Sequence, residues 1–280
     1  MSIPLHLGVR AHDFGQIPLQ DLIEKLQQYK FSHIQLAVKK SFPESAPSLA
    51  AISPGTASYF GNAFRKAGVQ IAVLGCYVNI VDTDPLKRAQ ALAEFGTHLR
   101  LARDFGASLV GTETGSVGQG YTIDNFTEEA FQEVITSVST MVEEAERFGV
   151  TVGIEAGLHH PLYTASLTRR LLDAIPSNNL QVILDCANLM SPTNYLQQDA
   201  VIAEALELLA NRIAVIHLKD FIVKDERIQI VPVGQGWLQF EPILRYMKYK
   251  RPHIQGILES TTEPHMVESI AFLERIYAEV

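Results

Sequence analysis

The sequence predicts a (β/α)8 barrel, and three observations carry the prediction. Eight short runs rich in β-branched residues alternate with eight helical patterns along the 280 residues. The later runs are continuously apolar rather than alternating, as in strands covered on both faces. No composition shift, low-complexity tract or simple repeat interrupts the alternation, so one domain is expected to span residues 1–280. Strands alternating with helices make a parallel sheet, and eight such units close it into a barrel of about 250 residues. A doubly wound open sheet is the alternative. It would place a Gly-rich turn after the first strand, and Gly8-Val9-Arg10-Ala11-His12 is not one.

Residues 5–9 form the first expected strand, followed by a helix over 19–28 with apolar residues at helical spacing. The second strand is 33–37. Residues 41–54 carry three prolines and several serines and read as a loop before a helix over 56–67. The third strand is 69–74. Asp84-Pro85 starts a long helix that runs to residue 105 and stops at Gly106. The fourth strand, 108–112, leads into a Gly-rich loop over 115–125 and a helix over 128–148 closed by Gly149. Strands five to eight follow at 152–156, 182–185, 214–217 and 256–259, with helices at 167–175, 199–210, 241–249 and 267–279.

Those last four strands share an anomaly. Each apolar run ends in a group that burial penalises: Glu155, Asp185, His217 and Glu259. A single acid at such a place reads as a helix cap or a solvated loop residue. Four in succession, 30, 32 and 42 residues apart, recur once per strand–helix unit. In a barrel the carboxyl ends of all strands open onto one face, where barrel enzymes place their active sites. The four side chains are therefore expected to ring half of the mouth and hold one divalent ion. Three carboxylates and one imidazole suit Mn2+ first, or Mg2+, with Co2+ and Zn2+ as alternatives.

Composition narrows the class. With 23 basic and 31 acidic residues the net charge is −8, and no basic stripe is present, which argues against nucleic acid as a partner. Cys76 and Cys186 form no CxxC motif, residues 1–10 lack a basic region followed by an apolar core, and the longest apolar run, 71–81, is broken by Asn79. A soluble cytoplasmic protein without a membrane partner is expected.

Among other polar residues, Glu113 after the fourth strand, His160 in the loop after Glu155, and Lys219 after the seventh strand are candidates for substrate contact. Gly115, Gly118 and Gly120 match a phosphate cradle only loosely, and a flexible loop is the plainer reading. Trp237, the single tryptophan, serves either as a sugar-pocket wall or as packing. His6, His33 and His253 read as structural.

The segments Gly153-Ile154-Glu155, Leu184-Asp185-Cys186-Ala187-Asn188, Ile216-His217-Leu218-Lys219-Asp220, Val233-Gly234-Gln235-Gly236 and Leu258-Glu259-Ser260 carry a family resemblance. Their kind and order resemble the sugar isomerase and epimerase barrels related to xylose isomerase, which include ketose 3-epimerases and hydroxypyruvate and inosose-type enzymes. The resemblance implies a xylose isomerase-like TIM barrel that isomerises or epimerises a small sugar, sugar phosphate or keto-polyol through an enediolate. It implies that Glu155 and Glu259 both ligate the metal and exchange the substrate proton. Many relatives carry His where this chain has Asn188, which can bond a substrate hydroxyl but cannot take a proton at neutral pH. A lyase or dehydratase on the same barrel is the enzymatic alternative, and a non-catalytic sugar-binding barrel the other. Apurinic-site endonucleases also resemble the chain, but they use extra histidines, and 220–233 contains none. The reading leaves self-association open.

Overall fold

The computed structural model describes residues 4–46, 48, 51–120 and 122–280. Seven parallel strands follow one another around a barrel: β1 (Leu7–Arg10), β2 (His33–Leu36), β3 (Gln70–Gly75), β4 (Leu109–Thr112), β5 (Thr151–Glu155), β6 (Leu180–Asp185) and β7 (Ile213–Leu218). A hairpin, β8 (Asp220–Lys224) and β9 (Arg227–Val231), then leaves the barrel, and β10 (Gln255–Leu258) closes it between β7 and β1. The helices are α1 (Leu19–Gln28), the single turn α2 (Val38–Ser41), α3 (Pro54–Lys66), α4 (Pro85–Phe105), α5 (Glu128–Phe148), α6 (Ala165–Ala174), α7 (Gln198–Leu209), α8 (Phe240–Tyr249) and α9 (Met266–Glu279).

Local chemistry explains the boundaries. The Asp84 carboxylate accepts from the amides of Leu86 and Lys87, with Pro85 in the first turn, and Gly106 ends α4 at φ 75°. Ser53 caps α3 through the amide of Thr56, so this helix begins at Pro54 rather than at the expected residue 56. The expected loop over 41–54 includes Pro47, Leu49 and Ala50, and the Gly-rich loop includes Tyr121; these four lie outside the described residues. The inward stripes are Leu22, Ile23 and Leu26 on α1 and Leu273, Ile276 and Tyr277 on α9.

The hairpin was not anticipated. Its turn residues Asp225 and Glu226 both have positive φ, 49° and 56°, a primed turn usually marked by Asn-Gly or Asp-Gly. With no glycine there, the turn signal is silent.

Inside the barrel, Val73, Leu109, Ile183, Val215 and Ile257 form a closed apolar layer. Small residues make room for it: a Cβ on Gly153 would come within 2.6 Å of the Leu109 side chain. Gly8 does the same for the His33 ring, which a Cβ would approach to 2.3 Å. His33 is structural, as expected; its Nε2 lies 3.0 Å from the Gly256 carbonyl, and burial lowers its pKa to about 4. Cys76 and Cys186 are buried and unpaired. No helix among the described residues is long and apolar enough to cross a membrane.

Candidate metal centre

Strand periodicity builds the site. Successive strand side chains alternate between faces, so the residue two beyond an inward-facing one also points inward. Ile183, Val215 and Ile257 fill the barrel, and Asp185, His217 and Glu259 stand one step above them. Glu155 stands likewise above Gly153. Lateral register aligns neighbours, with Asp185 beside His217 and Ile257 beside His217 on its other flank.

The structure brings the four expected residues together. One ligand atom from each of Glu155, Asp185, His217 and Glu259 lies within 4.8 Å of every other, and all four residues are buried. His217 Nδ1 is 2.7 Å from Glu259 Oε2 and 3.3 Å from Glu155 Oε1. Its Nε2 is 2.8 Å from Gln35 Oε1, while the Gln35 amide nitrogen donates to the Tyr77 hydroxyl at 2.6 Å. With its nitrogen engaged there, Gln35 presents its oxygen to His217, which places a proton on Nε2 and aims Nδ1 at the carboxylates.

Three cationic groups converge on Glu259. Besides His217, Lys219 Nζ lies 2.6 Å and Arg10 Nη1 2.9 Å from Oε1. Arg10 is itself held by the Asp13 carboxylate and the Ser260 hydroxyl, and the Ser260 amide donates to Asp13 at 2.8 Å. Asp185 Oδ1 accepts from the amides of Ala187 and Asn188. Its Oδ2 lies 2.8 Å from Lys219 Nζ, yet this buried oxygen makes no well-formed hydrogen bond.

These surroundings split the two glutamates. Burial pushes Glu155 up to about 7, against the pull of His217. Burial acts the same way on Glu259, but His217, Lys219 and Arg10 outweigh it and hold that carboxyl well below the usual range. Burial would lower His217; the two glutamates prevail and raise it to about 10. Lys219 is raised by Asp185 and Glu259 despite its burial.

The donor set fits a divalent cation. Three carboxylates and an imidazole, all buried and with one ligand atom of each within 4.8 Å of the others, offer hard ligands around one point. Gln35 behind His217 supplies the outer hydrogen bond that ligating histidines use to fix the ring.

The remaining candidates fall into two groups. Lys219 and Asn188 belong to the cluster: Asn188 Nδ2 donates to Glu155 Oε1 at 2.9 Å, and its Oδ1 accepts from Lys219 at 2.9 Å. Glu113 and His160 sit beside it, lining with Asn188 a cavity of about 210 Å³. His160 Nδ1 accepts from the Gly115 amide, and its Nε2 faces Glu113 at 3.9 Å. The loop glycines form no phosphate cradle. The amides of residues 115–118 are taken by His160, Asn79, Asn125 and Ser116 side chains and so do not point at a ligand. Trp237 stacks on Tyr195, ring centres 5.6 Å apart, in an outer patch away from that cavity.

Sequence reasoning missed Arg10, Gln35 and Tyr77. It also left the role of Asp220 unread: that buried carboxylate accepts from the amides of Phe221, Gly234, Gly236 and Leu238 and folds the Gly-Gln-Gly loop around itself.

Residues 23–276 match the family model described as xylose isomerase-like TIM barrel. A comparison with curated protein sequences returns no significant match. Among solved structures, a D-tagatose 3-epimerase-like protein superposes with a TM-score of 0.77 at 17% identity, covering 99% of this chain and 98% of its own. The xylose isomerase domain protein of Planctomyces limnophilus gives 0.73 at 19% identity, covering 100% and 98%. The IolI protein, solved with a zinc atom, gives 0.71 at 14% identity, covering 98% and 96%. At such identities these likenesses speak for the fold. With the family model spanning most of the sequence, the chain belongs to the xylose isomerase-like TIM barrel family.

Proposed function

We propose that this protein is a divalent-metal-dependent isomerase or epimerase of a small keto-sugar, sugar phosphate or keto-polyol. Glu155, Asp185, His217 and Glu259 hold the ion, Mn2+ in first place by the hardness of three oxygen donors. A bound divalent ion would polarise the substrate carbonyl and acidify the neighbouring C–H. The observation that carries the reading is geometric: two buried glutamates flank one imidazole, 3.3 Å and 2.7 Å from its Nδ1, with Asp185 completing the cluster. Two carboxylates at one site can divide acid and base work between them. One of the two glutamates accepts the carbon-bound proton. The other delivers one, and the reverse reaction exchanges the roles. Asn188 and Lys219 face the same space with polar atoms that can hold substrate oxygens, and Glu113 and His160 serve the part of the substrate further out.

The test is solvent deuterium incorporation by the Mn2+-loaded protein into a panel of ketopentoses, ketohexoses and their phosphates. Exchange at a carbon beside the carbonyl is expected. Stoichiometric metal binding without exchange into any of them would overturn the proposal. Release of water with an unsaturated product would replace it by the lyase reading.

A further inference from the structure

The cavity beside the cluster has a mixed lining. Glu113, His159, His160 and Asn188 contribute polar groups to it, and Met190 contributes an apolar one together with Ile228 and Ile230 of the hairpin. Pairing in the hairpin sets Phe221 opposite Ile230 and Val223 opposite Ile228, so these four share one face. Phe221 is fully buried and Ile228 packs against the core, whereas Ile230 remains 40% exposed at the cavity. A two-stranded hairpin outside any larger sheet is marginal alone; this one is anchored at its root by Asp220 and Phe221 and lends Ile228 and Ile230 to the cavity.

We propose that this apolar lining is a substrate subsite: Ile228 and Ile230 receive an apolar group at the end of the sugar remote from its carbonyl. The ligand class is a keto-sugar with a deoxygenated terminal carbon or an apolar aglycone, and the proposal rests on the keto-sugar reading above. Asn188 sets the geometry, because it lines the cavity and also donates to Glu155 Oε1 at 2.9 Å. A substrate that reaches the glutamates with its carbonyl end therefore extends into this cavity. There Glu113 and His160 meet its hydroxyls, while the isoleucines meet whatever carbon is left without one. A fully hydroxylated terminus would bury an oxygen against two branched alkyl side chains that offer it no partner.

Calorimetric titration of the Mn2+-loaded protein compares D-fructose with 6-deoxy-D-fructose and D-tagatose with 6-deoxy-D-tagatose. The deoxy member of each pair is expected to bind about tenfold or more tightly, the scale at which an apolar pocket discriminates one small group. The double variant Ile228→Ser/Ile230→Ser should lose the preference, whereas Ile228→Leu/Ile230→Leu should keep it. Unchanged Mn2+ affinity in both variants checks that the mouth remains folded. Equal binding within the pairs, a preference surviving in the serine variant, or binding of none of the four sugars overturns the subsite. Deuterium exchange without a deoxy preference removes the subsite alone and leaves the proton-transfer reading standing. A preference without exchange does the reverse.

Discussion

Two layers of the barrel, one strand step apart, use the same backbone for opposite purposes. The lower layer, with Ile183, Val215 and Ile257, is apolar and closed. The upper layer, with Asp185, His217 and Glu259, gathers charges that would be costly alone and sets them against one another. The lower layer derives its stability from removing surface from water; the upper layer draws little net stability from being buried. A barrel can thus carry a chemically reactive mouth because the layer beneath it holds the strands in register.

The sharpest separation comes from comparing one residue in each layer. Glu155→Gln keeps shape and a possible oxygen ligand but removes a group proposed to transfer the proton, so turnover should fall about 10²–10⁴-fold. Its thermal stability should not fall, because a buried carboxylate is replaced by a neutral amide. Ile183→Ala should do the reverse, costing about 2–5 kcal/mol of stability while the exchange rate per folded molecule is retained. Glu259→Gln crosses the boundary. It should lower turnover and also stability, because Lys219, Arg10 and His217 lose their shared anion. Thermal melts alongside single-turnover deuterium exchange read all three; a loss of stability in Glu155→Gln matching that of Ile183→Ala would erase the distinction between the layers.

Much of this was legible in the sequence, for a physical reason. Glu155, Asp185, His217 and Glu259 each interrupt an apolar run at its carboxyl end, an exception visible without coordinates. Arg10 gives the same signal after Leu7-Gly8-Val9, one residue past where the first strand was read to end. Gln35 gives none: a neutral amide within a strand announces no charge to compensate, and its partner His217 is 182 residues away. The ties of the Gly-rich loop are not legible in its own composition, because two of its amides are taken by Asn79 and His160 from distant segments. The hairpin escaped because Asp225-Glu226 adopts a turn that glycine usually marks.

Gln35 also allows the upper layer to be loosened without touching a ligand. Gln35→Leu removes the acceptor behind His217 Nε2, and Mn2+ affinity should fall about 10–100-fold, measured by competition with a chelating dye. Gln35→Glu, which keeps an acceptor, should lose less. An unchanged affinity in Gln35→Leu would show that the ring needs no outer support.

Chelation exposes the proton economy of the same layer. Glu155 and His217 titrate near 7 and 10 in the folded chain, both above their ordinary values. Folding therefore favours proton uptake by this pair. The stability it contributes is fully present below the ordinary values and is lost as pH rises through the folded ones. In chelator, the contribution of this pair to the melting temperature should decline from pH 4.5 to about 10, the Glu155 share by about pH 7 and the His217 share between pH 6.5 and about 10. Mn2+ competes with the proton on His217 Nδ1, so binding at pH 7 should release protons, seen as a calorimetric enthalpy that varies with buffer. Buffer-independent enthalpies would mean that His217 and Glu155 both enter the site already deprotonated.

The smallest expected effect is at Asn188, which lies at the edge of the upper layer and contacts both Glu155 and Lys219. The side-chain amide donates to one and accepts from the other at the same time. A neutral imidazole in Asn188→His also has one donor and one acceptor, but on a rigid ring, so it cannot keep both bonds at their present lengths without moving Lys219. None of the four ligand side chains is replaced, and Mn2+ affinity should stay nearly constant. What changes is the polar group presented to the substrate beside Glu155, now one that can take a proton. The variant should accordingly alter the ranking of keto-sugars in the exchange assay and add a pH dependence near the ordinary histidine value. A drop in Mn2+ affinity as large as that of Gln35→Leu would instead make Asn188 a support of the metal cluster and remove it from substrate contact.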